Sequence, residues 1–115
     1  MNVIEKNEGV KIPYEVNGNK ITFRDEMMLD LSKYERDYDV KLDICNNKDD
    51  ILIVGLSDYY VAQLEIPERQ YREEIVEQNG EDEETSTTRV ALPFDMDRVT
   101  LVLWALERSN DIGLF

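Results

Sequence analysis

The sequence predicts a predominantly β fold, an antiparallel meander of about six to seven strands built on hairpins with at most one or two short helices; an α+β arrangement stays open. Three observations predict it. Residues 10–24 alternate apolar and polar on either side of Asn17-Gly18, and Tyr38–Cys45 (YDVKLDIC) alternates again. Ile51–Ile66 (ILIVGLSDYYVAQLEI) is the richest apolar run, dominated by β-branched and aromatic residues and bounded by Asn46–Asp50 and Pro67. Such runs suit strands better than a helix.

Met1–Gly9 (MNVIEKNEG) is polar and reads as a flexible N-terminal tail. The meander proper is expected over residues 10–67. Val10, Ile12, Tyr14 and Val16 share one face of a first strand, and Ile21 and Phe23 continue the pattern after the turn. Asn-Gly between alternating runs signals a hairpin, because a type I′ turn needs positive φ at both central residues. Pro13 cannot donate to a ladder, which puts the first strand at a sheet edge. Asp25–Lys33 fits either a continued strand or one or two helical turns, with the strand preferred. Tyr38, Val40, Leu42 and Ile44 then oppose Asp39, Lys41 and Asp43 on a half-solvated strand. Ile51–Leu56 is apolar on both faces, which suggests a central strand joined by a tight turn or bulge at Gly55-Ser57-Asp58 to a second buried strand, Tyr59–Ile66.

Residues 68–88 change character, with eight acidic and two basic side chains. Glu68–Gln78 suits a short helix that aligns Tyr71 and Ile75, and the remainder, NGEDEETSTT, reads as a flexible acidic insertion. Residues 89–115 complete the core. Arg89–Phe94 forms a short strand, and Arg98–Glu107 is a second apolar centre that includes Trp104. For that centre both a helix capped by Asp95 and a strand buried on both faces stand, the strand being preferred. The tail Ser109–Phe115 has Ile112, Leu114 and Phe115 to fold back onto the body.

At 115 residues the chain is one domain. Its 26 acidic and 13 basic residues give a net charge of −13. That charge opposes direct binding of nucleic acid or of an anionic membrane, since no basic stripe is present to neutralise phosphates. The single cysteine, Cys45, forbids an intramolecular disulfide, and no stretch has the apolar length of a membrane span, so a cytoplasmic location is expected. With no histidine, Ser-His-Asp and Cys-His catalysis and ordinary zinc sites lose their ligand. Phosphate-binding glycine loops and the calcium-loop pattern are absent from the sequence. The pairs Asp95/Asp97, Asp37/Asp39 and Asp49/Asp50 are read as turns and solvated strand faces. The chain is therefore expected to be neither an enzyme nor a carrier of cofactor or metal.

What remains is a small acidic protein-binding module whose partner is a basic protein surface. In its extreme form it is a nucleic-acid mimic, with spaced carboxylates replacing phosphates against lysine and arginine. The residues expected to carry this are Glu73, Glu74, Glu77, Glu81, Asp82, Glu83 and Glu84, with Asp37, Asp39 and Asp43 as a second ladder and Tyr59 as an exposed aromatic. In composition the chain is similar to small acidic inhibitors of host defence nucleases from phages and mobile elements, although no motif assigns it to a family. The alternative is a homo-oligomeric structural or assembly protein of a phage or mobile element, which would use sheet edges and exposed aromatics instead of charge.

Overall fold

The computed structural model describes residues 1–76 and 86–106. Among them the chain is predominantly β, antiparallel and built on hairpins. The strands are β1 (Asn2–Glu5), β2 (Tyr14–Asn17), β3 (Lys20–Phe23), β4 (Met27–Asp30), β5 (Val40–Asn46), β6 (Leu52–Val54), β7 (Tyr59–Ile66), β8 (Tyr71–Val76), β9 (Ser86–Ala91) and β10 (Thr100–Leu103). Two 3₁₀ turns, Leu31–Tyr34 and Met96–Arg98, are the helical elements among the described residues.

Three sheets result: one of five strands in the order β1-β10-β7-β5-β6, one of three in the order β2-β3-β4, and the β8–β9 hairpin. The register puts Ile44, Ala62, Leu64, Ile66, Leu101 and Leu103 on one face of the large sheet, and all six are buried. Ile21, Phe23 and Leu29 occupy one face of the small sheet, and they join the same core with Ile12, Leu31 and Val99. The two sheets thus share one apolar interior.

The Asn17-Gly18 hairpin forms, but one residue out of the expected turn. Asn17 pairs with Lys20, so Gly18 and Asn19 are the central residues. Of these only Gly18 has positive φ, at 62°, the pattern of a type II′ turn rather than type I′. β2 is an edge strand, as Pro13 requires. On its apolar side Ile12 is buried, while Val10, Tyr14 and Val16 stay largely exposed.

The next turn has two non-glycine residues in the left-handed region, Arg24 (φ 53°) and Asp25 (φ 54°), closed by the Glu26 N–H donating to Phe23 O at 2.9 Å. Such residues cost about 1–2 kcal/mol each. The Arg24 guanidinium offsets that cost. It forks onto both Glu26 carboxylate oxygens (3.0 and 2.8 Å) and reaches Asp50 Oδ1 (3.1 Å) and the Asp50 carbonyl (3.0 Å). Asp50 is itself left-handed (φ 62°) and accepts from Asn46 Nδ2 at 2.7 Å. A turn of the small sheet is thereby fastened to the β5–β6 turn of the large one.

Several expectations are corrected. Met1–Gly9 is not a loose tail throughout, because Asn2–Glu5 pairs in parallel with β10. The Asn2 N–H donates to Val99 O and the Lys6 N–H to Leu103 O, both at 2.8 Å. β10 is buried along most of its length and needs a partner on its outer side, which Val3 and Ile4 suit by β propensity. Asp25–Lys33 divides into β4 and a 3₁₀ turn capped by Asp30, whose Oδ1 accepts from the Ser32 N–H at 3.1 Å. The strand preferred for the second apolar centre does form: Asp95 caps a 3₁₀ turn, accepting from the Asp97 N–H at 3.0 Å, and Thr100–Leu103 follows as a strand buried on both faces. Ile51–Leu56 is not central. β5 lies between β6 and β7, which leaves β6 at the edge with only Leu52 buried. Glu68–Gln78 is not helical where described, since Tyr71–Val76 pairs with β9, whose Thr87, Thr88 and Val90 are β-branched.

Two measurements check this arrangement. Deleting residues 1–5 strips the outer partner of β10 and is expected to lower the melting temperature by about 5 °C or more, whereas a frayed tail would leave it unchanged. The second concerns acid. Hydrogen bonding from Asn46 first, and then Arg24, holds the Asp50 carboxyl below its ordinary value of 3.8. A depressed pKa stabilises the fold above the unfolded value and loses that contribution as pH falls through the folded one. Asp50→Asn is therefore expected to flatten the decline in melting temperature below about pH 4, measured against the parent chain.

Candidate protein-interaction site

The acidic segment is carried on a hairpin with a built root. Pro67 ends β7, and the chain turns outward under three constraints. The Glu68 N–H donates to Asp39 Oδ1 (2.9 Å), the Arg69 N–H to the Arg36 carbonyl (2.8 Å) and the Leu92 N–H to the Gln70 carbonyl (2.8 Å). Arg69 then fans out over the 35–37 segment. Its Nε lies 3.5 Å from the Glu35 carboxylate, one guanidinium nitrogen donates to the Glu35 carbonyl (3.0 Å), and another reaches Asp37 Oδ1 (3.4 Å). The same Asp37 oxygen accepts the Tyr71 hydroxyl at 2.6 Å. Glu35 is buried, so Arg69 is the charge that makes its burial tolerable. On the other side of Tyr71 the Arg89 guanidinium lies 4.0 Å from the ring centroid, a cation–π contact that ties β9 to β8. A small cleft of about 130 Å³, lined by Asp39, Lys41, Glu65, Pro67, Arg98 and Thr100 among others, opens beside this root.

Beyond the root, β8 and β9 pair only with each other among the described strands. Glu73 faces Arg89 across the ladder, Glu74 faces Thr88, and Ile75 faces Thr87. All three β8 residues are exposed, Ile75 by 71%. Arg72 donates to Glu74 at 2.6 Å, and Glu73 has no such salt bridge among the described residues. Glu77, Glu81, Asp82, Glu83 and Glu84 lie outside the described residues, as does the tail from Ser109 to Phe115.

The second ladder does not form a free row. Asp37 and Asp39 precede β5 and are taken up in the hairpin root, and Asp43 accepts from Gln63 Nε2 at 2.8 Å. Alternation in sequence places such carboxylates on one face but says nothing of the donors beside them. Tyr59 is half-buried opposite Asn46, and it is Tyr60 that is the more exposed.

The reason is a bulge. Ile44 pairs with Ala62 but Cys45 pairs with Tyr60, so Val61 is the extra residue on β7. That slip brings Tyr60 to the outer face beside Trp104, with ring centroids 5.2 Å apart. Trp104, expected in the core, is half-buried in this contact. Partial desolvation first, and the Asp43 carboxylate next, raise the Tyr60 hydroxyl above its ordinary value. Ile53 of β6 flanks Cys45 on the same face. Sequence reasoning missed this outer apolar row and the Arg69 root; a bulge leaves no trace in a period-2 pattern, and long-range ion pairs leave none at all.

Among the described residues no helix is long and apolar enough to cross a membrane, and no cluster of three or more cysteine, aspartate or glutamate side chains has the geometry of a metal site. No protein-family model, curated protein or solved structure matches the chain.

The root can be tested alone. Arg69→Ala strands the buried Glu35 carboxylate and is expected to destabilise the fold by about 1–3 kcal/mol. Adding Glu35→Gln should recover part of that loss in a double-mutant cycle of denaturant midpoints. Additive effects would show that the two side chains do not interact.

Proposed function

We propose that this chain is a small non-enzymatic protein-binding module of the cytoplasm that docks its acidic hairpin on a basic surface of another protein. One observation carries the reading. Nearly half of the net charge of −13 falls within residues 68–88, and the described part of that segment is a two-stranded ribbon anchored at its root and displaying Glu73 and Glu74. A rigid root limits the entropy lost on docking, and carboxylates held on a ribbon steer a basic partner over about a Debye length, ~8–10 Å at physiological salt. Exposed Ile75, next to Glu74 on β8, supplies an apolar contact beside these carboxylates.

The limiting form of this reading is a nucleic-acid mimic of phage or mobile-element type, in which the carboxylates take the place of phosphates. Since Asp37, Asp39 and Asp43 are engaged within the chain, the mimicking surface is assigned to the hairpin alone. The target class is then a protein that handles nucleic acid through a lysine- and arginine-lined groove.

The test is capture from host lysate at low and high salt, comparing the parent chain with a Glu73→Lys/Glu74→Lys variant. The reading expects a basic partner held at low salt, released at high salt and lost on charge reversal, with the variant's melting temperature nearly unchanged. Capture indifferent to both salt and charge reversal would overturn it.

A further inference from the structure

We propose that β6 is a self-pairing edge through which two copies of this chain join their five-stranded sheets across a two-fold axis. The backbone provides the first argument. The Asn47 N–H donates to Ile51 O (3.0 Å) and the Gly55 N–H to Asp43 O (2.7 Å), which turns the polar groups of Ile51, Ile53 and Gly55 towards β5. Leu52 and Val54 are out of phase with these, so their N–H and C=O groups point away from β5, where no described strand lies. An antiparallel copy in which Leu52 meets Val54, and Val54 meets Leu52, satisfies all of these outward groups at once. Ile53 then falls on the axis as a close, non-hydrogen-bonded pair with itself, at a Cα separation of about 4.5 Å. The edge is thus self-complementary, the condition for an isologous and closed interface.

Charge provides the second. Ile51–Leu56 contains no ionisable side chain in a chain that is 34% charged. In the stated register Asp50 lies opposite Leu56 of the second copy and Asp49 opposite Ser57, so no like charges meet across the axis. A basic partner finds no carboxylate along this strand. Side-chain exposure is the third. Ile51 (55%), Ile53 (36%), Val54 (41%) and Leu56 (73%) stand open on an edge with none of the lysines or prolines that usually blunt one. A two-fold normal to the sheet places both Ile53 side chains on the face that carries Tyr60 and Trp104, continuing that apolar row from one copy to the other.

The experiment is a sedimentation-equilibrium series over protein concentration at low and high salt. The expected result is a monomer–dimer equilibrium that tightens as salt screens the repulsion between two bodies of −13 each. Ile53→Lys sets two ammonium groups side by side on the axis and should weaken the dimer at least ten-fold, although it lowers the net charge. Val54→Pro removes an outward donor without touching the β5 ladder and should weaken it comparably, which covers the case in which the lysine variant fails to fold. Mixing Ile53→Lys with Ile53→Glu copies should restore a heterodimer, because each position 53 meets only its counterpart. A monomer at every concentration and salt, oligomers that lengthen without limit, or a mixture that stays monomeric would each overturn the proposal. None of these bears on the acidic hairpin, whose capture of a basic partner weakens with salt and depends on Glu73 and Glu74.

Discussion

A strand hydrogen-bonded on both sides has no edge to give to water, and β7 occupies that position in this chain. Its register places Ala62 between Ile44 and Leu103, and Leu64 between Leu42 and Leu101. These side chains form a continuous apolar floor that only a second apolar layer can cover. Ile21, Phe23 and Leu29 cover it from the small sheet, and Ile12 and Leu31 close its margins. The other elements answer to this demand. β1 exists to complete β10, and β10 exists to complete β7. The bulge at Val61 follows as well, since it lets β7 bend around the core while Tyr60 moves to the outer face. One local irregularity thereby connects the interior to the aromatic contact on the surface.

A shared apolar core does not by itself fix how two sheets are oriented, because apolar contact is non-directional. The directional link is Arg24. Its fork on Glu26 stiffens its own turn, and its bonds to Asp50 reach the turn between β5 and β6. The three left-handed non-glycine residues described in the chain all lie in these two turns. Charge-assisted hydrogen bonds exceed neutral ones about two-fold in strength, which is sufficient to hold strained backbone in place on a half-exposed surface. The turn that precedes β6 is consequently held at both ends, and β6 presents its outward groups from a fixed frame.

Legibility in the sequence follows from how local each cause is. The β2–β3 hairpin was readable because alternation and Asn17-Gly18 lie within a few residues of each other; only the one-residue shift of its turn escaped. The strand character of β5, β7 and β10 was readable from alternation or β-branched runs. Strand order was not. Ile51–Leu56 looks like a central strand because it is apolar on both faces, yet nothing local states that β5 will pair with both β6 and β7. The strand β1 was invisible for the same reason, as its partner lies about a hundred residues away. Glu68–Gln78 was misread because Tyr71 and Ile75 satisfy a helical spacing as well as an alternating one, and β9 decided between them. At the site, sequence counts the carboxylates but cannot tell Asp37, which serves Arg69 and Tyr71, from Glu73, which serves no partner among the described residues.

That distinction matters for what the charge does. A net charge of −13 spread evenly would act only as a solubilising field, opposing every association with another acidic body. Here the carboxylates divide into those consumed by the fold and those displayed by it. Asp30, Asp37, Asp39, Asp43, Asp50 and Asp95 each accept hydrogen bonds that hold a turn, a root or a strand. Glu73 and Glu74 of β8 are among those displayed, with Glu8, Glu15, Asp25 and others elsewhere on the surface, and the β6 run carries none. On the two proposals made above, one small body carries two surfaces of opposite character: a ribbon that would attract a basic partner electrostatically, less so at high salt, and an uncharged edge whose self-pairing would tighten as salt screens the field. If both proposals hold, ionic strength acts on the two contacts in opposite directions, and it would select between them without any change in the fold.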